Sequence, residues 1–149
     1  MPRFSTFSIA ACDLEAKTWG IAVASKFPAV GAAVPWVKAE IGAVATQSYV
    51  NTSYRPNRLE MMAEGLSAEK TLEKLLAGDE EREIRQVGLV DAQGQAVTFT
   101  GEKCHDWAGG LTGPGYAIQG NILTGADVIQ KMESAFLETD GDLPARLYA

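Results

Sequence analysis

The sequence predicts an α+β fold built in layers, and two observations support this prediction. The first is the order of elements, since strands come first, helices follow, and further strands precede a last long helix. The second is the character of the early strands, because residues 19–25 and 41–47 carry mainly small or apolar side chains on both faces. Such a sheet must be covered on both faces. The sequence therefore favours stacked layers over a doubly wound parallel sheet.

The first third of the chain contains three predicted strands. Residues 6–12 form the first strand, residues 13–18 are a polar turn, and residues 19–25 form the second strand. Two strands joined by so short a turn are typical of a hairpin. Residues 41–47 form the third predicted strand.

The middle of the chain is predicted to be helical. Pro56 suits the first turn of one helix. Ser67 is a good N-cap for the next helix, whose leucines recur on one face, and Gly78 can end it. The densely charged run at residues 79–85 is typical of a solvated turn or helix face.

Strands return in the second half of the chain. Residues 86–90 and 96–100 are predicted strands, joined by a hairpin turn at residues 91–94. A glycine-rich stretch then leads to a short strand at residues 116–119. Residues 124–127 resemble a capping box, which predicts that a helix begins there.

Length and charge limit the possible partners. The 149 residues fit a single domain, and the net charge of −6 argues against nucleic acid or an anionic lipid surface. No apolar run approaches the ~18 residues of a membrane span, and the first residues lack a signal-peptide core. We therefore expect a cytoplasmic protein with no nucleic-acid or membrane partner. Residues 143–149 read as the start of a helix without a C-cap, so we expect an incomplete C-terminal part.

The residues that could bind metals or cofactors do not form a known motif. Cys12 and Cys104 lack metal-site spacing and are predicted to be free thiols in a reducing compartment. The single histidine, His105, is either structural or a general base or ligand. Residues 109–115 resemble a phosphate loop but contain no lysine and precede no helix. The sequence predicts no metal and no cofactor.

Two pairs of side-chain amides follow predicted strands. Gln119 and Asn121 flank a glycine, and Gln47 and Asn51 follow the third strand. Such amides can donate hydrogen bonds to an oxyanion or recognise a substrate amide. They can equally bond to the neighbouring backbone of a tight connection.

The first strand begins with a hydroxyl residue, Thr6, close to the N-terminus. It is either an ordinary strand threonine or a nucleophile whose own α-amine, once freed, acts as the base. Ser25 and Lys26 end the second strand, beside the start of the first if the two pair as a hairpin. A lysine there would lower the pKa of the amine, although an exposed lysine is also common at a strand end.

Several ordered motifs resemble one family, called domain of unknown function 1028. The similarity runs from Thr6 to the end of the chain. The segments that carry it are residues 6–9 with Asp13, 20–32, 42–47, 85–88 and 100–101, together with Cys104, residues 107–109 and residues 119–123.

The resemblance implies a four-layer α-β-β-α sandwich of two antiparallel sheets, because this family is placed with the N-terminal-nucleophile hydrolases. It also implies descent from amide-bond hydrolases. Thr6 matches the position of the superfamily's nucleophile, and Ser25 with Lys26 matches a motif at the end of the second strand. Gln119 and Asn121 match the family's late amide motif.

The leading hypothesis is an amidohydrolase that cleaves a small-molecule or peptide amide after residues 1–5 are removed as a short pro-segment. Thr6 would attack the amide carbonyl, Lys26 would tune the amine, and Asn121 or Gln47 would help backbone N–H groups to hold the oxyanion. The predicted catalytic residues are Thr6, Lys26 and Asn121, and the predicted substrate-binding residues are Ser25, Gln47, Asn51 and Gln119.

Two other functions stay open. An unprocessed N-terminus would leave a non-catalytic small-molecule-binding module on the same fold. A weaker alternative uses Pro2 as the low-pKa base of a tautomerase. An uncovered sheet edge would also favour pairing, so a homo-oligomer is a further expectation.

Overall fold

The structure, a computed structural model, describes residues 4–51 and 54–149. None of the helices in these ranges combines the length and the apolar character needed to cross a membrane. The elements in chain order are β1 (Thr6–Asp13), β2 (Thr18–Ser25), α1 (Val30–Ala33), β3 (Pro35–Lys38), β4 (Gly42–Ser48), α2 (Tyr54–Ala63), α3 (Ala68–Ala77), a 3-10 helix (Arg82–Ile84), β5 (Arg85–Asp91), β6 (Ala96–Thr100), β7 (Gly109–Gly113), β8 (Tyr116–Asn121), α4 (Asp127–Glu138) and α5 (Leu143–Tyr148).

The strands of the described residues form two antiparallel sheets of four strands each. The first sheet has the order β2-β1-β8-β7 and the second has the order β3-β4-β5-β6. The sheets face each other, with β1 against β4 and β8 against β5. This arrangement follows from the sequence, because central strands that are apolar on both faces need a covering layer on each side.

Helices cover the outer face of each sheet. Ile9 and Ile118 of the first sheet pack with Ile129 and Phe136 of α4. On the second sheet, apolar residues of β4 and β5 pack with residues of α2 and α3 in the same way. Helices therefore flank the two sheets, which is compatible with the predicted sandwich.

The layer between the sheets is filled by small side chains over much of its length. Ala10, Ala43, Ala45 and Ala117 are fully buried there. Because alternate residues of a strand point to opposite faces, these alanines put the same face of β1, β4 and β8 into the interior. Small side chains let the two sheets approach closely, so polar groups of one sheet can reach the other.

Cys12 and Cys104 are both free, as predicted, and both are buried. Burial is the main cause that raises the pKa of the Cys12 thiol to about 11, and the carboxylates of Asp91 and Asp13 add to it. Burial also raises the pKa of the Cys104 thiol. Both side chains therefore stay protonated near neutral pH and pack as small apolar groups.

The predicted strands are confirmed with small shifts at their ends, and α3 is confirmed at both ends. The backbone N–H of Lys70 donates to Ser67 Oγ over 3.3 Å, so Ser67 is the N-cap, and Gly78 is the C-cap. The prediction for α4 is wrong at its start. This helix begins at Asp127 after Ala126, which has no side-chain cap bond, so Thr124 is not its N-cap.

Two further predictions need correction. The charged run is not a fully solvated turn, because Asp79 and Arg85 at its two ends are buried. The glycine-rich stretch also contains a strand, β7, which pairs with β8. A Cβ at Gly110 would meet the backbone oxygen of Ile118. Glycine is used here because the two strands lie too close for a side chain, and that need is invisible in a polarity pattern.

Candidate active site

The layer between the sheets becomes polar at one end. Alternate residues of β1, β4 and β8 face the layer between the sheets. These positions are alanines over much of the layer and polar residues at this end. These polar residues are buried. The inward-facing polar residues of the four central strands are Thr6, Ser8, Gln47, Gln86, Gln119 and Asn121.

Strand register brings these side chains together in pairs. Thr6 lies opposite Asn121, and Ser8 lies opposite Gln119, in the pairing of β1 with β8. Gln47 lies opposite Gln86 in the pairing of β4 with β5. Two rows of polar side chains, one on each sheet, therefore face each other.

A chain of hydrogen bonds crosses from the first sheet to the second. Gln119 Nε2 donates to Ser8 Oγ over 2.7 Å, and Ser8 Oγ donates to Gln47 Oε1 over 2.7 Å. Gln47 Nε2 then donates to Gln86 Oε1 over 2.8 Å. A buried polar group without a partner costs free energy, and these bonds remove that cost.

The side chain of Gln86, on the second sheet, also binds groups of the first sheet. Its Nε2 donates to the backbone oxygen of Gly120 over 2.8 Å and to that of Gly109 over 3.2 Å. It also lies 2.9 Å from Thr100 Oγ1. Asn121 Nδ2 donates to Gln86 Oε1 over 2.9 Å. Both ends of the Gln86 amide are therefore hydrogen-bonded to groups that surround the candidate site.

Thr6 lies at the outer end of this network. Its Oγ1 is 2.9 Å from Ser25 Oγ, and the backbone N–H of Phe27 donates to the same Ser25 oxygen over 3.1 Å. Gln47 Nε2 also lies 3.4 Å from the Thr6 backbone oxygen. The structure thus brings together Thr6, Ser25 and Gln47 as the sequence analysis expects.

The residues before Thr6 determine what its nitrogen can do. In the chain as it stands, that nitrogen belongs to the peptide bond with Ser5, and Ser5 Oγ donates to the backbone oxygen of Ile122 over 2.6 Å. Residues 1–3, which include most of the predicted pro-segment and the proline of the tautomerase alternative, lie outside the described residues.

Lys26 and Asn51 are placed differently from the other predicted site residues. Lys26 directly follows Ser25 at the same end of the sandwich and is exposed. Asn51 Nδ2 donates to Asp79 Oδ2 over 2.9 Å, so this amide takes part in an ion-pair cluster. Arg85 Nε donates to the same carboxylate oxygen over 2.9 Å. The hydrogen bond to Asp79 is the main cause that raises the pKa of the Arg85 guanidinium.

His105 lies in the loop beside the strand end. Its ring is 6.3 Å from that of Tyr49, and its backbone oxygen accepts from the N–H of Ile122 over 3.1 Å. Within the described ranges, no group of three or more His, Cys, Asp or Glu residues is arranged to hold a metal ion. The polar groups that face the Thr6 end of the layer are amides and hydroxyls, which can hold an uncharged polar substrate group.

Sequence reasoning missed Ser8 and Gln86 as site residues. Ser8 shares the inward face of β1 with Thr6, so its alternation with Thr6 was the available signal. Gln86 is the second residue of β5, whose other inward positions are Gly88 and Val90. A single amide on this otherwise apolar face of β5 also indicates a special role. Only the pairing of the sheets, however, shows which groups the amide contacts.

Comparisons with known proteins agree with this architecture. The sequence matches the Family of unknown function (DUF1028) over residues 6–149. The chain belongs to this family. It is similar to the crystal structure of a DUF1028 protein from Silicibacter pomeroyi, with a TM-score of 0.91 and 30% identity over 96% of this chain. The chain spans 64% of that protein's length. No curated protein matches the sequence.

The Ser8→Ala variant tests the hydrogen-bond chain. Without its hydroxyl, Gln47 Oε1 loses its donor and Gln119 Nε2 loses an acceptor inside the protein. We expect the free energy of unfolding to fall by about 1–3 kcal/mol, measured by urea denaturation. Ser134→Ala on the exposed face of α4 is the matched control and should change it little. Equal effects of the two substitutions would contradict the network.

The Gly88→Ala variant tests the space around Gln119. A Cβ at Gly88 would overlap the side-chain amide of Gln119, which must then leave Ser8. We expect a loss of about 1–3 kcal/mol in the free energy of unfolding. Gly31→Ala, where a Cβ meets nothing within 4 Å, is the control and should be neutral or slightly stabilising. A neutral Gly88→Ala would mean that Gln119 does not lie against this glycine.

Proposed function

We propose that the protein is an N-terminal-nucleophile amidohydrolase that uses the hydroxyl of Thr6, and that its layered fold is of the N-terminal-nucleophile type. One observation carries the proposal. Thr6 heads β1 on its inward face, pairs with Asn121 of β8, and has its hydroxyl 2.9 Å from Ser25 Oγ. A buried hydroxyl among hydrogen-bonding side chains suits nucleophilic attack on an amide.

The reaction needs the α-amine of Thr6, so residues 1–5 must be removed first. The free amine takes the proton from Thr6 Oγ1 as the oxygen bonds to the amide carbonyl carbon. The C–N bond then breaks, and the amine leaves with that proton. Water attacks the resulting ester, which releases the acid and restores the Thr6 hydroxyl.

The surrounding side chains have different roles in this proposal. Asn121 Nδ2 gives one hydrogen to Gln86 and keeps a second hydrogen for a developing oxyanion. Ser25 orients the Thr6 hydroxyl. Lys26, which is exposed and directly follows Ser25, lowers the pKa of the amine through its positive charge. Gln47 and Gln119 are hydrogen-bonded within the buried network, so they hold the site residues in position.

The second candidate function is that of a small-molecule-binding module. For both candidates we propose a cytoplasmic protein. One observation favours the binding module, namely the hydrogen bond from Ser5 Oγ to the Ile122 backbone oxygen. This bond holds Ser5 beside Ile122, the residue that follows β8. While Ser5 is retained, Thr6 has no free amine. Retention of residues 1–5 would therefore support the binding module.

The Thr6→Ala and Thr6→Ser variants test the nucleophile. The chain prepared with residue 6 as its first residue is assayed for release of p-nitroaniline from a panel of acyl p-nitroanilides. We expect Thr6→Ala to lose turnover and Thr6→Ser to retain it, because serine keeps a hydroxyl beside the amine. The kcat/KM of the unmutated chain should rise as the pH passes the reference pKa of an α-amine, just above neutrality, since the base must be unprotonated.

Thr18→Ala, an exposed strand position in β2, is the control and should leave turnover unchanged. Thr6→Ala that turns over these amides at the unmutated rate would rule out Thr6 as the nucleophile.

A further inference from the structure

The orientation of a buried side-chain amide decides what it offers to its neighbours. One end of the group accepts hydrogen bonds and the other donates them. The two ends have nearly the same shape, so the surrounding partners must settle which is which. In this protein the partners of Gln86 determine the orientation of its amide. That orientation in turn determines the orientation of the other amides in the network.

Backbone oxygens fix the orientation of Gln86. The oxygens of Gly120 and Gly109 lie 2.8 Å and 3.2 Å from one end of its amide. A carbonyl oxygen can only accept, so this end must be the NH₂ group. The opposite rotation would place the Gln86 oxygen against two carbonyl oxygens, which is strongly unfavourable for buried groups.

The other end of Gln86 is therefore an acceptor with two neighbours. Gln47 Nε2 lies 2.8 Å from it and Asn121 Nδ2 lies 2.9 Å from it. Each of these residues must turn its NH₂ group towards Gln86. The oxygen of Gln47 then faces Ser8, which donates to it over 2.7 Å. The polarity of the network thus follows from two backbone carbonyls of the first sheet.

Asn121 receives its orientation by this route. The hydrogen bond to Gln86 uses one of the two Nδ2 hydrogens and determines which end of the Asn121 amide faces Gln86. The second hydrogen is not used by Gln86, and Asn121 lies opposite Thr6 in the register of β1 and β8. A donor that is fixed before the reaction stabilises a developing charge better than one that must reorient.

We propose that Gln86 is the positioning residue of the site: it turns the Asn121 amide so that one N–H remains for the oxyanion formed at Thr6. This role rests on the proposed function for its chemical meaning. The orientation itself rests only on the contacts of Gln86 with Gly109, Gly120 and Asn121.

The first experiment detects the orientation directly in the unmutated full chain. Scalar coupling across a hydrogen bond, measured by NMR, should connect the Asn121 Nδ2 nitrogen to the Gln86 side-chain carbonyl carbon. One Asn121 amide hydrogen should also exchange slowly with solvent. No coupling, together with fast exchange of both hydrogens, would overturn the proposal. This readout needs no variant to fold and no substrate.

The second experiment tests the consequence for an oxyanion. Phenylboronic acid serves as the probe, because its boron bonds to the Thr6 oxygen as the α-amine takes the hydroxyl proton, which leaves a tetrahedral boronate anion. Its affinity is measured by calorimetry on the chain that begins at Thr6. We expect Gln86→Met to weaken binding about tenfold through loss of orientation, and Asn121→Ala to weaken it about 100-fold through loss of the donor.

The double variant separates positioning from mere stability. If Gln86 acts through Asn121, Gln86→Met combined with Asn121→Ala should bind no more weakly than Asn121→Ala alone. Additive losses would overturn the positioning role. Gln93→Met, the same change at an exposed glutamine, is the control and should bind like the unmutated chain. If the unmutated chain fails to bind the boronate at Thr6, the proposed function fails, and the NMR coupling still decides the orientation.

Discussion

The structure depends on the requirement that buried amides be hydrogen-bonded. A side-chain amide in an apolar interior loses its water and must find partners within the protein. Gln86 meets this requirement by reaching from the second sheet to the backbone oxygens of Gly109 and Gly120 on the first. The same side chain accepts from Gln47 and Asn121. Gln86 therefore adds to the bonds that join the two sheets and sets the orientation of the groups near Thr6.

This joining is possible because the sheets lie close together. Alanines fill the layer between them, and Gly88 leaves the space that the Gln119 amide occupies. Larger side chains would separate the sheets and break the bonds that cross between them. The apolar part of the layer thus supports the polar part, and the cost of burying polar groups is offset by bonds that only close packing allows.

Much of the fold could be predicted from the sequence because its signals are local. The two-sided apolar strands indicate the layers, and Ser67 with Gly78 marks α3 correctly. The sequence also indicates Thr6 and Asn121 as candidate site residues, since a hydroxyl and an amide at strand ends are visible as residue types. The role of Gln86 and the position of Asn51 were missed because they depend on which strand lies beside which. The burial of Arg85 likewise follows from Asp79, a partner that charge density alone cannot indicate.

The central claim is that Thr6 becomes the first residue of the working protein. The most direct test is the intact mass of the protein purified from its native source, combined with N-terminal sequencing. The account predicts a chain that begins at Thr6, with its α-amine free beside the Ser25 hydroxyl. A chain that begins at Met1 or Pro2 would contradict it, because Thr6 would then have no amine to act as the base.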